Sequence, residues 1–142
     1  RVLPRLDGER KRNVIQFLHE SGLINKNTPI IDLHEADLRE ASLDDAELKD
    51  ANLSGAKLMK ANLEGAKLNG AYLREADLRE ADLRGAQMNN KTDLSGAILK
   101  GANYNTNRMQ GMNAQGIPLT LEPTQWPQGF DYKSTGAISV DS

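Results

Sequence analysis

The sequence has no cysteine, few aromatic residues and no long apolar run. Without cysteine it can form neither a disulfide nor a thiolate metal site. Aromatic residues make up only 4% of the 142 residues, which favours a thin, repetitive interior over a bulky globular one. No apolar stretch approaches the roughly 20 residues of a membrane-spanning helix, and the N-terminal residues lack the apolar core of a signal peptide. We therefore expect no membrane insertion by this segment.

A surplus of charge of either sign is also lacking. The chain has 18 lysines and arginines against 20 aspartates and glutamates, so its formal net charge is only −2. Binding to nucleic acid by counterion release normally needs a strong basic surplus, and mimicry of nucleic acid needs a strong acidic one. The charge balance therefore favours neither activity.

A period of five residues is the main feature that the sequence does have. Leucine recurs at this spacing, and alanine precedes each leucine by two positions. The leucines are Leu33, Leu38, Leu43, Leu48, Leu53, Leu58, Leu63, Leu68, Leu73, Leu78 and Leu83, continued by Met88, and the alanines run from Ala36 to Ala86. A strict period of five fits neither the 3.6 residues of a helical turn nor the two-residue alternation of a long strand. It predicts short extended sides, each with alanine and leucine pointing inward, separated by corners. A helical array is the alternative, but a helix would spread this period around all its faces.

The repeated Ala-(Asp/Asn)-Leu pattern resembles that of the pentapeptide-repeat family. Clear matches begin at Ala36, Ala51, Ala61, Ala76 and Ala81. The resemblance implies an all-β fold, a right-handed quadrilateral β-helix, in which four units make one coil of about 20 residues and the coils stack by parallel pairing. We expect this solenoid to cover residues 31–116 in about four coils.

The repeat shifts its phase once. After Met88 the next central residue is Leu94, so one extra residue lies within 89–91, and Leu99, Tyr104 and Met109 then resume the count of five. We expect this insertion to form a bulge at a corner, where asparagine tolerates left-handed backbone angles.

Residues 1–30 are predicted to form an N-terminal cap. Val14, Ile15, Phe17 and Leu18 form an apolar stripe at helical spacing that ends before Gly22. The first coil of a solenoid has open backbone edges and an exposed apolar end, so we assign a short amphipathic helix to cover it. Binding to a partner or a membrane surface is the alternative role for this helix.

Residues 117–142 contain no repeat and are predicted to form an irregular C-terminal cap, with Trp126 and Phe130 covering the far end of the core. The segment from Trp126 to Asp131, together with Leu6 to Arg10 before the repeats, is similar to segments of cyanobacterial pentapeptide-repeat proteins. Some of those proteins have membrane segments upstream. Because the chain begins with Arg1, we expect further residues before it, and the whole can belong to a larger or membrane-anchored protein.

Catalysis and metal binding find no support in the sequence. The only histidines are His19 and His34, too few for a zinc site of three or four ligands or for a nucleophilic triad. A catalytic pair of carboxylates needs a pocket that excludes water, and an interior filled with leucine and alanine offers none. We therefore expect no enzyme activity, no metal and no cofactor, and we interpret the glycines as corner residues.

Stacked charges suggest how the surface is organised. When residues 20 apart are read as neighbours, Asp37, Lys57 and Asp77 alternate in sign, and so do Glu40, Lys60 and Glu80. We expect ladders of ion pairs that avoid like charges at strand spacing.

The favoured function is a noncatalytic structural or protein-interaction module, monomeric, with an unidentified protein partner. The beginning of the repeats is its most charged part, and we expect the contact surface there. The candidate residues are Asp32, Glu35, Asp37, Glu40, Asp44, Asp45, Glu47 and Asp50.

Two alternatives remain open. Some members of the family protect topoisomerases by resembling DNA, but those are dimeric and acidic along their length, whereas here cations such as Lys57, Lys67 and Arg79 interrupt any acidic track. The other alternative is that this is the soluble part of a membrane-anchored protein, with its activity residing upstream.

Overall fold

The computed structural model describes residues 8–20, 33–105, 109–112 and 118–140. In chain order the elements are helix α1 (Gly8–Glu20), strands β1 (Asn103–Tyr104), β2 (Met109–Met112) and β3 (Pro118–Leu121), a 3-10 helix (Tyr132–Thr135) and strand β4 (Ile138–Ser139). From residue 33 to β1 the chain alternates between single-residue parallel bridges and turns, with a period of five.

Each five-residue unit ends in a turn for which the sequence supplies suitable residues. The Ala61 N–H donates to the Leu58 carbonyl at 2.9 Å, and Lys60 between them has a φ of +59°, as a type II turn requires. Where Asp or Asn precedes the leucine, its side chain supports the next turn. The Asn62 side-chain oxygen, for example, accepts from the Glu64 N–H at 3.0 Å. The preference of the repeat for Asp or Asn therefore has a local cause.

Parallel bridges between successive coils build four faces. Face 1 carries Asp37, Lys57, Asp77 and Ile98; face 2 carries Ser42, Asn62, Asp82 and Asn103; face 3 carries Glu47, Lys67 and Gln87; face 4 carries Asn52, Tyr72 and Asp93. A coil runs from face 1 to face 4, so coils 1, 2 and 3 are residues 36–55, 56–75 and 76–96, and coil 4 begins at Ala97. Bridge partners such as Asp37 and Lys57 lie 20 residues apart until Tyr72, whose partner Asp93 lies 21 residues on.

The one-residue shift of register falls at the predicted place, within residues 89–91. There the side chains of Asn89 and Thr92 make hydrogen bonds to the backbone of coil 2, in place of backbone hydrogen bonds between the coils. The Asn89 side-chain oxygen accepts from the Gly70 N–H at 3.0 Å, and the Thr92 hydroxyl donates to the Leu68 carbonyl at 2.9 Å. Thr92 is buried at an inward position that alanine occupies in the other units, so the extra residue disturbs the corner and leaves the core continuous.

The core is a stack of leucine and alanine layers. Leu63 and Ala61 of coil 2 are fully buried, and the same holds for nearly every leucine and alanine of the repeat. Tyr104, which the period of five places inward, is buried too. Both side chains of each Ala-x-Leu therefore point inward, as the sequence predicts.

Helix α1 lies against the N-terminal end of this core. Ile15 is buried and belongs to the core cluster, and Val14 packs against it. Phe17 is 64% exposed, so its assignment to the apolar stripe that faces the core was wrong. It lies two positions from Ile15, on a different side of the helix. Leu18, the other member of that stripe, lies outside the part of the chain whose side chains are described.

A hairpin interrupts coil 4 after face 2. Strands β2 and β3 pair antiparallel, with Met109 opposite Leu121. The prediction that Met109 continues the coils was wrong, because a hairpin partner takes the place of a parallel neighbour. The predicted end of the repeats at residue 116 lies outside the described residues.

The tail returns to the solenoid at two places, although an irregular conformation was predicted for it. Gln125 bridges Gln87 in parallel on face 3, and β4 pairs in parallel with β1, with Ile138 opposite Asn103 on face 2. The tail therefore adds one side to coil 4 and one side to the coil above it.

Aromatic side chains cover the C-terminal end of the core. Trp126 and Phe130 pack against the core, as predicted, and their rings stack with centroids 5.6 Å apart. Tyr132 stacks on Trp126 at 5.1 Å, and Tyr104 meets Trp126 edge-on at 5.7 Å. This arrangement buries apolar area and aligns the rings favourably.

Candidate protein-interaction surface

The predicted contact residues form a ring around coil 1. Asp32 lies outside the described residues. Four of the other seven occupy the turn position with positive φ: Glu35 (+56°), Glu40 (+59°), Asp45 (+56°) and Asp50 (+58°). These four mark successive corners of the square, so the structure does not bring all the candidates together on one face.

Several of these carboxylates are neutralised by nearby cations. Asp37 Oδ2 accepts from Arg39 at 2.6 Å, and the Lys11 amine of α1 lies 4.0 Å from Asp37 Oδ1. The hydrogen bond from Arg39 lowers the pKa of Asp37 to about 2. Glu47 pairs with Lys67 of the next coil and with Lys49, the latter at 3.9 Å. These residues contribute less net charge than the sequence indicates.

The corner between faces 2 and 3 gathers carboxylates from three successive coils. Asp44 and Asp45 lie there in coil 1, Glu64 lies one coil above, and Asp82 adjoins it on face 2. Arg84 is the cation of this corner, and it contacts Glu64 at 2.6 Å and Asp82 at 2.5 Å. We call these five residues the acidic corner.

Burial raises the pKa of Glu64, and the charges of Asp82, Asp45 and Asp44 add to this effect, while Arg84 opposes it. Among the described residues, Arg84 is thus the cation that acts on Glu64, and three carboxylates act on it with the opposite effect. A cationic group from outside would lower the repulsion among them.

Glycines in coil 2 leave space for the aspartate side chains at the corners of coil 1. A Cβ added to Gly65 would collide with the carboxylate of Asp45, and one added to Gly70 with that of Asp50. The two carboxylates therefore lie against the backbone of the coil above. Neither makes an ion pair with any residue that the structure describes.

Three members of the acidic corner, Glu64, Asp82 and Arg84, were not among the predicted contact residues. The signal that could have found them was available, because Asp44, Glu64 and Arg84 are spaced by 20 residues. The 20-residue spacing was used for the columns of Asp37 and Glu40 but not for this one.

The predicted charge ladders are partly wrong. Lys57 does stack between Asp37 and Asp77, but each aspartate pairs with the arginine two residues after it, as Asp77 does with Arg79 at 2.6 Å. Within the described residues Lys57 makes no ion pair. The turn explains this preference, since it places the arginine fork directly over the aspartate.

The second ladder is formed in part. Lys60 lies 3.8 Å from Glu80 of the coil above. No ion pair joins Lys60 to Glu40 among the described residues.

In the part of the chain that the structure describes, no group of three metal-ligating side chains is arranged to hold a metal ion. Over the same residues, no helix is long and apolar enough to cross a membrane.

The repeats match one known protein family. This family, described as "Pentapeptide repeats (8 copies)", matches residues 31–65 and 56–90. Residues 31–90 therefore match the repeats of this family. The family's repeat implies a right-handed quadrilateral β-helix, in agreement with the four faces and the 20-residue register described above.

Solved structures of pentapeptide-repeat proteins are similar to the chain over part of its length. One from the thylakoid lumen of Arabidopsis thaliana is 39% identical over 51% of this chain and 52% of its own, with a TM-score of 0.39. Another, from Nostoc PCC 7120, is 25% identical over 89% of this chain and 93% of its own, with a TM-score of 0.37.

A third, from the cyanobacterium Cyanothece 51142, is 39% identical over 46% of this chain and 48% of its own, with a TM-score of 0.31. The chain thus spans about half the length of the plant protein. No curated protein sequence matches it.

Proposed function

We propose that the pentapeptide-repeat domain is a noncatalytic interaction module whose acidic corner binds a cationic segment of a partner protein. The observation that carries this proposal is the group of four carboxylates that gathers around Arg84. Rigid stacked coils hold these groups in place before binding, so little conformational entropy is lost when a partner arrives.

The position of the charges supports a local contact over mimicry of DNA. Coil 1 carries more carboxylates than cations, whereas coil 2 carries Lys57, Lys60, Lys67 and Arg74 against Glu64 and Glu75. The negative charge therefore stays near one corner and does not continue along the solenoid. A chain that imitates the DNA backbone would need it to continue.

Helix α1 fits the role of an N-terminal cap, which we include in the proposal. Its Ile15 belongs to the core, and the Lys11 amine donates to the Arg39 carbonyl of coil 1 at 3.2 Å. The helix thus supplies apolar cover and a polar contact to the first coil. Such a cap prevents end-to-end association of solenoids, and we accordingly propose that the protein is a monomer.

The test compares proteins captured from a cell extract by three immobilised forms of the chain. In the first variant, Asp44→Asn and Asp45→Asn remove two charges from the acidic corner. Asparagine tolerates the positive φ of Asp45, so the fold is preserved. The matched control, Glu75→Gln and Glu80→Gln, removes one charge from a corner of coil 2 and one from a corner of coil 3.

We expect a partner that is retained by the wild type and by the control and is lost from the acidic-corner variant. Because electrostatic contacts are screened, retention should also fall as salt rises through about 0.15 M. Equal retention by all three forms would contradict the proposal. Light scattering should give a monomer, and a DNA supercoiling assay should show no inhibition. A dimer that inhibits supercoiling would favour mimicry of DNA.

A further inference from the structure

The C-terminal end of the solenoid has a strand edge that the described residues leave unpaired. On face 3 the tail covers this edge at Gln125, and on face 2 it covers it at Ile138. Between these points, residues 127–136 pass from one face to the other without forming a bridge. Residues 92–94 of face 4 and 97–99 of face 1 consequently have no partner above them among the described residues.

The unpaired groups are backbone N–H groups. The equivalent N–H groups one coil lower all have acceptors. Leu73, Glu75 and Leu78 donate to the carbonyl oxygens of Asp93, Ser95 and Ile98 at 2.7 to 2.8 Å. The equivalent donors one coil higher are the N–H groups of Leu94, Gly96 and Leu99, and none of them has a partner in the described part of the chain. We call residues 92–99 the open edge.

The core beneath the open edge is already covered. Leu94 and Leu99 are buried, because aromatic residues of the tail such as Phe130 pack on this end. Gly96 is exposed, and so is Ile98, at 48%. A ligand at this edge therefore needs to satisfy the backbone and the outward side chains, and it has no core cavity to fill.

The outward side chains define the chemistry of that ligand. On face 4 the edge presents Asp93, whose carboxylate lies 3.7 Å from Arg74 of the coil below. On face 1 it presents the exposed Ile98. A strand stacked above would place its own outward residues about 4.8 Å from these two. Charge and apolar complementarity then require a cation over Asp93 and an apolar residue over Ile98, five positions further along.

We propose that the open edge binds an extended segment of a partner protein as an added strand, parallel to residues 92–99, with a lysine or arginine over Asp93 and a branched apolar residue over Ile98. Its inward residues have to be small, because the tail occupies the space above the core. The edge lies around the corner between faces 4 and 1, across the square from the corner between faces 2 and 3 that holds the acidic corner, so either proposal can fail without the other. Addition of a strand to an exposed edge is an established mode of peptide recognition.

The probe is a capped peptide of sequence AKASGAIA, which places lysine and isoleucine at the two outward positions and glycine at the corner. Its control is AIASGAKA, in which these two residues are exchanged. The readout is backbone amide exchange and chemical shift of the full chain by NMR. Leu73, Glu75 and Leu78 serve as the internal reference for amides that are paired on the same faces.

We expect the amide of the exposed Gly96 to exchange at least tenfold faster than the reference amides in the free protein, and the amides of Leu94 and Leu99, which are buried but have no acceptor among the described residues, to exchange faster by a smaller factor. Saturating AKASGAIA should slow the Gly96 amide at least tenfold, and AIASGAKA should bind at least tenfold more weakly. Ile98→Lys should reduce the affinity at least tenfold, whereas Ile138→Lys, the same change on face 2, should leave it unchanged.

Three results would overturn the proposal. Slow exchange of these amides in the dilute free protein would mean that the chain covers the edge itself. Protection that rises with protein concentration in the absence of peptide would mean that a second copy is the occupant. Absence of any change at these amides with millimolar AKASGAIA would mean that the edge accepts no such strand.

Discussion

The hydroxyl of Thr124 donates to the side-chain oxygen of Asn105 at 2.9 Å, and both residues are buried. The backbone makes a second contact, because the Thr124 N–H donates to the Asn105 carbonyl at 2.9 Å. The same Asn105 side-chain oxygen accepts from the Gly85 N–H at 2.8 Å. This pair therefore connects the tail to the solenoid across the hairpin that separates them.

Asn105→Ala should lower the free energy of unfolding by about 1 to 3 kcal/mol, because it leaves the Gly85 N–H without its acceptor inside the protein. Urea unfolding followed by the fluorescence of Trp126, the only tryptophan, measures this and reports on the tail. Asn103→Ala, at an outward position of strand β1 just before Asn105, is the control and should change stability by less than about 0.5 kcal/mol. Similar losses in both variants would show that the Asn105 bonds add nothing.

The solenoid could be predicted from the sequence because each unit encodes its own geometry. Asn62 before Leu63 already specifies the support of the next turn and the inward direction of the leucine. The return of the tail could not be predicted in this way, since a hairpin separates Thr124 from the coil it joins and breaks the period. A weak signal exists nevertheless, as Gly-Ala-Ile occurs at residues 96–98 and again at 136–138, where β4 begins.

Leu63→Ala should cost about 2 to 5 kcal/mol, because Leu63 is fully buried in a layer that cannot collapse without disturbing the coils above and below. Lys57→Ala, which removes an exposed side chain with no ion pair in the described residues, should change stability by less than about 1 kcal/mol. Chemical denaturation measures both. The reverse order would contradict the assignment of inward and outward positions.

The acidity of Asp37 should depend on Arg39. The hydrogen bond from Arg39 lowers the pKa of Asp37 from 3.8 to about 2, so the ion pair stabilises the folded state fully above pH 3.8 and loses this effect as the pH falls towards 2. Arg39→Ala should raise the pKa of Asp37, as followed by NMR of the side-chain carboxyl. The pKa of Asp77, which Arg79 lowers, is the control and should not move. An unchanged pKa of Asp37 in the variant would mean that a group other than Arg39 stabilises its charged form.

The candidate surface could be predicted only in part. The sequence located the carboxylates of coil 1 correctly, but it could not show that Asp37 is neutralised by Arg39, because that pairing depends on the turn. It did not group Glu64 with Asp44 and Asp45, although the 20-residue spacing of Asp44 and Glu64 indicates that they stack. Charged residues that lie close together in the structure are therefore far apart in the sequence.

Gly65 and Asp45 should be energetically coupled. Gly65 has a φ of +67° and Gly129 a φ of +77°, so an alanine at either position is strained by about 1 to 2 kcal/mol. At Gly65 the new methyl group would also displace the Asp45 carboxylate, whereas at Gly129 it would meet nothing within 4 Å. Gly65→Ala should therefore be the more harmful change.

A double-mutant cycle separates the two effects. Combined with Asp45→Ala, Gly65→Ala should cost less than the sum of the two single changes, because the collision disappears with the carboxylate. Gly129→Ala combined with Asp45→Ala should be additive, since these residues share no contact. Additivity in both cycles would mean that the Asp45 side chain turns away freely, and that the glycine of coil 2 does not fix the carboxylate at the acidic corner.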